Sequence, residues 1–181
     1  MDTKKAAAWF IVSLMVFSIF GIIGSSFFSE DQSNYEEISY NDYKFIKKNA
    51  KWELNHNDQK YYFDNLPNEL INYSLPEYAV NTDKIYLGYQ PNDKIDPNLG
   101  IQMIGNLLFN QKILVQKACF IEEGCPNIPL IDCEEDKGII FVSSIQEGYT
   151  IEKKCLIIGA EDNQQLIKLT EKLAYHLLGI L

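Results

Sequence analysis

Residues 151–181, IEKKCLIIGAEDNQQLIKLTEKLAYHLLGIL, hold a β-rich run, a helix start and an amphipathic helix in one uninterrupted passage. Ile151 to Ala160 is apolar and β-branched enough to predict a strand. Asp162 stands where an N-cap carboxylate accepts from the first free N–H groups of a helix, and Gln165 three residues later completes a capping-box pattern. Leu166, Leu169, Leu173 and Leu177 then recur at three- and four-residue spacing, the stripe of a helix that lays one face on a sheet. A strand that runs into a helix packed back upon it predicts an α/β core at this end of the domain.

Upstream, Lys112 to Phe120 (KILVQKACF) and Gly138 to Ile145 (GIIFVSSI) are further β-rich runs, expected with Ile151 to Ala160 as the central strands, and Glu147-Gly148 is a turn. Asp96-Pro97 marks a second helix start, with Leu99, Ile101, Ile104, Leu107 and Leu108 as its apolar face through about Phe109. Gly100 and Gly105 oppose that helix by propensity. Lys84 to Tyr89 (KIYLGY) is a strand closed by Gln90 to Asp93, and Leu66 to Ile71 starts a short helix with Pro67 early in its first turn. Tyr40 to Lys47, Lys51 to Leu54 and Lys60 to Phe63 predict antiparallel strands, with turn residues at Asn55 to Asp58. The expected class is α+β: one mixed, largely antiparallel sheet with two or three helices on one face, spanning residues 41–181 and closing on a C-terminal amphipathic helix.

Ala6 to Phe28 is 23 residues without a charge, about 34 Å as a helix against a hydrocarbon core of roughly 30 Å. Residues 1–28 are therefore expected to form a transmembrane anchor in contact with membrane lipid through residues 6–28, and 29–40 a linker. Lys4 and Lys5 precede the apolar stretch and Glu30, Asp31, Glu36 and Glu37 follow it. The positive-inside bias then leaves the N-terminus in the cytoplasm and carries the domain outside. Gly24-Ser25-Ser26 offers a signal-type cleavage site, but the apolar stretch is longer than a secretory signal requires, which favours a retained single-pass anchor. Lys5-Ala6-Ala7-Ala8 also matches the loose pattern of pilin-type processing sites.

The formal charge of −9 repels nucleic acid, and all 16 basic residues are Lys. Without Arg there is no bidentate clamp for phosphate or guanine, so nucleotide enzymes and DNA readers are disfavoured. Cys119, Cys125, Cys133 and Cys155 are an even set in an exported domain, which predicts two disulfides. Three pairings are open; Cys119 with Cys125 and Cys133 with Cys155 would staple a short loop and join neighbouring strands. No close Cys pair of the zinc type and no Cys-x-x-Cys occurs, so neither metal nor redox chemistry is expected.

Asp132, Glu134, Glu135 and Asp136 lack the spacing of a calcium loop and read as a solvated acidic turn. His56, His176, Ser143 and Ser144 form no triad pattern, and no catalytic, cofactor or metal residue is assigned. Asn72-Tyr73-Ser74 is a glycosylation sequon of the frequency that chance supplies. Pro126 to Ile131 is a proline-stiffened apolar loop, of the kind that either packs over a sheet edge or serves recognition.

Lys4-Lys5 before the anchor, Cys125-Pro126-x-Ile128-Pro129-x-Ile131-Asp132-Cys133, and Cys155-Leu-Ile-Ile-Gly159 ahead of a helix ending Leu177-Leu178-Gly179-Ile180 resemble uncharacterised single-span archaeal membrane proteins with a Cys-bearing extracytoplasmic domain. That resemblance implies a location and no catalytic residue. The expected role is a non-enzymatic, disulfide-stabilised interaction or assembly module of the cell envelope with a protein partner. The alternatives are a pilin-like or surface-layer subunit, and a small-ligand receptor or enzyme with an unrecognised pocket.

Overall fold

The computed structural model describes residues 35–144 and 146–181. The expected anchor, its processing sites and the first part of the linker lie outside them, and among the described residues no helix is long and apolar enough to cross a membrane. Glu37 to Leu181 form one compact unit.

The first half is an antiparallel meander of β1 (Glu37–Tyr40), β2 (Tyr43–Lys48), β3 (Lys51–His56) and β4 (Gln59–Phe63), paired in chain order. β1 begins inside the stretch expected to be linker. Two-residue turns join the strands: Tyr40 pairs with Tyr43, Lys48 with Lys51 and His56 with Gln59. Asn41, Asn49, Ala50, Asn57 and Asp58 occupy the positive-φ positions of these turns, a conformation that Asn and Asp tolerate and Ala does not favour. Alternation then sorts the strands, with Phe45, Trp52, Leu54 and Phe63 buried inward. On the outer face the Glu53 carboxylate meets Lys48 Nζ at 3.0 Å, Lys60 Nζ at 3.3 Å and the Tyr62 hydroxyl at 3.1 Å. Those bonds, the one from Lys48 first, hold its pKa below the usual carboxylate range.

After a 3₁₀ turn at Pro67–Leu70, the second half alternates β5 (Lys84–Tyr89), α1 (Asn98–Asn110), β6 (Leu114–Cys119), β7 (Gly138–Ser143), β8 (Gly148–Glu152), β9 (Cys155–Ala160) and α2 (Asn163–Leu177). Its sheet runs β6-β5-β7-β9-β8. β6, β5, β7 and β9 are mutually parallel neighbours, and β8 alone is antiparallel. The α+β class stands, whereas the single, largely antiparallel sheet becomes two sheets among the described residues, the second mainly parallel. The physical reason is the crossover: a helix between two strands of one sheet returns the chain to the same end, so β5 and β6 must run alike. The run from Ile151 to Ala160 is not one strand but the end of β8, a turn at Lys153-Lys154 and β9. Lys153 takes positive φ there without any of the usual turn residues.

α1 and α2 pack against each other and against the β5, β7 and β9 face that carries Ile85, Leu87, Ile139, Phe141, Leu156 and Ile158. α2 starts as its sequence dictates, the Asp162 carboxylate accepting from Gln165 N at 2.8 Å. Its other side holds the meander: the Tyr175 ring lies 4.2 Å from that of Phe63 and 5.9 Å from that of Phe45. One turn earlier, the buried Glu171 carboxylate accepts the Asp64 N–H, the Asn65 N–H at 3.1 Å and the Asn65 amide at 2.7 Å. The Tyr175 hydroxyl donates to Asn65 O at 2.7 Å. α2 thus joins both halves of the core.

Candidate functional site

The connection from β6 to β7 has to pass β5, and no helix makes the crossing. Residues 120–137 do so as irregular chain, with a disulfide at each end. Cys119, the last residue of β6, bonds Cys125, and Cys133 bonds Cys155, the first residue of β9. The pairing left open among three by the sequence is therefore local for one bridge and between the crossover and the sheet for the other.

Between the clamps the chain is tied to the sheet by its backbone and by one side chain. Cys119 N–H donates to Pro129 O at 2.8 Å and Ile131 N–H donates to Cys119 O at 2.9 Å. The Ile131 side chain fills the hollow left by Gly88 and Gly138, and a Cβ on Gly138 would overlap it. Ile131, Ala118, Ile140, Cys133 and Cys155 make a second, smaller core on the sheet face away from the helices. Pro126, Asn127, Pro129 and Leu130 point outward, Leu130 with 48% of its surface exposed. Of the two uses expected of the Pro126 to Ile131 segment, packing over the sheet is seen at Ile131, while Leu130 beside it is exposed.

The acidic run is part of the clamp. Asp132 O accepts from Glu135 and Asp136 N–H, its carboxylate accepts from Glu134 N–H at 2.9 Å, and the Asp136 carboxylate accepts from Asp132 N–H at 3.2 Å. Glu134 pairs with Lys153, and Lys154 Nζ donates to Glu135 O at 3.0 Å, so the β8–β9 hairpin locks the turn from outside. Among the described residues no group of His, Cys, Asp or Glu is arranged to hold a metal ion.

The competing place for a site is the carboxyl end of the parallel strands, where β6 and β7 leave β5 in opposite directions and a crevice opens in sheets of this kind. Here Lys94, Ser143, Ser144 and Glu161 line a hollow of about 150 Å³. Two of its lining residues are engaged by neighbouring protein groups: the Asp93 carboxylate accepts Ser143 N–H at 2.6 Å, and Ser144 Oγ accepts Gln146 N–H at 3.0 Å. The Cys119–Cys125 loop leans over the same end, with Gly124 seated on Asn92 and Pro91.

The remaining candidates are dispersed. His56 lies beside Tyr43 with ring centroids 5.6 Å apart and planes tilted by 49°, and His176 is exposed on α2. Asn72 is exposed in the turn after Pro67–Leu70, open to modification and bonded to nothing in the site. Lys153 and Lys154 are the members of the clamp that the sequence alone does not reveal, because their part depends on a hairpin hidden in a continuous β-rich run. No family model matches this chain, and neither a curated protein nor a solved structure matches it.

Proposed function

We propose that this chain is a membrane-anchored, extracytoplasmic interaction module of the cell envelope that presents a rigid loop to a protein partner and performs no chemistry of its own. The observation that carries the reading is the double clamp on residues 120–137, which fixes both ends of one crossover to the sheet while Pro126, Pro129 and Leu130 face solvent. A loop already held in one conformation loses little entropy on binding, and an exposed apolar residue next to a proline is the part of it that gains from burial. Disulfides persist in oxidising compartments, which fits export through the Ala6 to Phe28 segment.

The test is native mass spectrometry of the protein extracted from its own membranes in mild detergent. A stoichiometric second protein is expected, released when Leu130 is replaced by Asp. A lone 20.9 kDa species would overturn the proposal, and a mature N-terminus at Ala6 with filament assembly would replace it by the pilin-like alternative.

A further inference from the structure

The connection from the 3₁₀ turn at Pro67–Leu70 to β5 is irregular chain, pinned to the domain by the side chains it turns inward. Tyr73, Leu75 and Val80 pack on the main core, and the buried Tyr78 hydroxyl donates to Gly138 O at 2.9 Å. Tyr73 N–H also donates to Leu70 O at 3.3 Å. Asn72 and Ser74, on either side of Tyr73, are exposed. Among the described residues no hydrogen bond engages either of their side chains. The fold thus holds the ring between them and leaves the amide and the hydroxyl open to water.

The sequence pattern is the second observation. Asn72 alone among the asparagines has Ser or Thr two residues later, with Tyr73 rather than Pro between them, which is the acceptor pattern for N-glycosylation. Chance supplies one such pattern in a chain so rich in Asn, but chance does not decide where it falls. An acceptor segment must bend so that its hydroxyl reaches back toward the amide, a local turn that helix and strand backbones resist. At Asn55 in β3, at Asn106 in α1 or at Asn65, whose amide is held by the Glu171 carboxylate, the fold would oppose that bend or engage the amide. At Asn72 it does neither.

We propose that Asn72 carries an N-linked glycan, transferred from a sugar chain held through its anomeric carbon on a polyisoprenyl phosphate. The amide nitrogen attacks that carbon, and the C–N bond forms as the C–O bond breaks. The electron pair leaves with the lipid phosphate, and a base of the transferase takes the amide proton. A glycan at this position also screens Ile71, which leaves 63% of its surface to water. Lipid-linked donors present their sugars outside the cytoplasm, so the assignment rests on the extracytoplasmic location proposed above.

The experiment takes the full chain from its own membranes, cuts it after lysine and weighs the peptide from Tyr61 to Lys84. In the parent this peptide is expected to carry added mass in whole sugar units, with fragments that place it on Asn72. Ser74→Ala keeps Asn72 and removes only an exposed hydroxyl, so it should fold and lose the added mass, whereas Ser74→Thr should retain it. A bare peptide from the parent, or a modification that survives Ser74→Ala, would overturn the proposal. An impermeant maleimide, applied to the same intact cells after reduction, separates this outcome from the location. Cys125 labelled from outside with Asn72 bare refutes the glycan alone, and Cys125 labelled only after lysis refutes the glycan and the location together.

Discussion

Gly100 opposes helix formation when read along the chain, and its reason becomes visible only across the core. It faces the buried ring of Phe141 on β7, which a Cβ at that position would overlap. Gly100→Ala gains about 1 kcal/mol of helix propensity and loses about 1–3 kcal/mol by overpacking against a ring with no room to retreat. Net destabilisation is expected in thermal unfolding followed by circular dichroism. Ala50 has the opposite sign: it sits at φ 66° in the β2–β3 turn, so Ala50→Gly is expected to raise stability by about 1 kcal/mol in the same measurement. Glu171 is a third case. Burial outweighs its three N–H donors and lifts its pKa from 4.5 to about 7. The folded state then binds this proton more tightly than the unfolded chain. Its contribution is complete below the unfolded pKa and is lost as pH rises through about 7. Denaturant titrations should show about 2 kcal/mol less stability from this group at pH 8 than at pH 5.5. Glu171→Gln should remove that slope while lowering stability overall, because the amide NH₂ faces Asn65 donors. An unchanged slope would refute the assignment.

At the scale of elements, what was legible depended on whether the signal was local. α2 is fully written in Asp162, Gln165 and the leucine stripe, and β5 in its alternation and closing turn. The β1–β2 turn at Asn41-Asp42 was not, because Tyr40 to Lys47 reads as one β-rich run and only the pairing of Tyr40 with Tyr43 reveals the break. The β8–β9 hairpin was hidden for the same reason, Lys153-Lys154 being a turn that only pairing of Glu152 with Cys155 reveals. Strand direction has no local signal at all, since it follows from which crossover α1 and residues 120–137 make. The cysteines were legible as a pair of bridges, and their unequal loops predict unequal weight. Separations of 6 and 22 residues give about 2 kcal/mol for Cys119–Cys125 and about 3 kcal/mol for Cys133–Cys155 on the loop-entropy model. Replacing Cys133 and Cys155 by Ser is therefore expected to lower the unfolding midpoint further than replacing Cys119 and Cys125. The longer bridge also ties Ile131 into its hollow, which acts in the same direction, so equal midpoints would mean that the crossover holds without its clamp.

For the whole molecule, the clamp and the proposed anchor make linked demands. A crossover of irregular chain covers a sheet face with fewer buried contacts than a helix would supply, so the fold relies on two covalent bridges, and those bridges require an oxidising compartment. The Lys4-Lys5 flank and the acidic residues after Phe28 are what the proposed extracytoplasmic location rests on, by an independent physical route, the positive-inside bias. The two arguments fail together if the domain faces the cytoplasm, and one labelling experiment addresses both. A membrane-impermeant maleimide added to intact cells should leave the oxidised protein untouched. After brief reduction it should label Cys125 first, because Cys125 is half-buried beside exposed Glu122, Glu123 and Gly124 while Cys119, Cys133 and Cys155 are buried. Labelling without reduction would mean free thiols and an absent clamp. Labelling only after lysis would reverse the orientation and, with it, the reading of Leu130 as a residue displayed to the cell exterior.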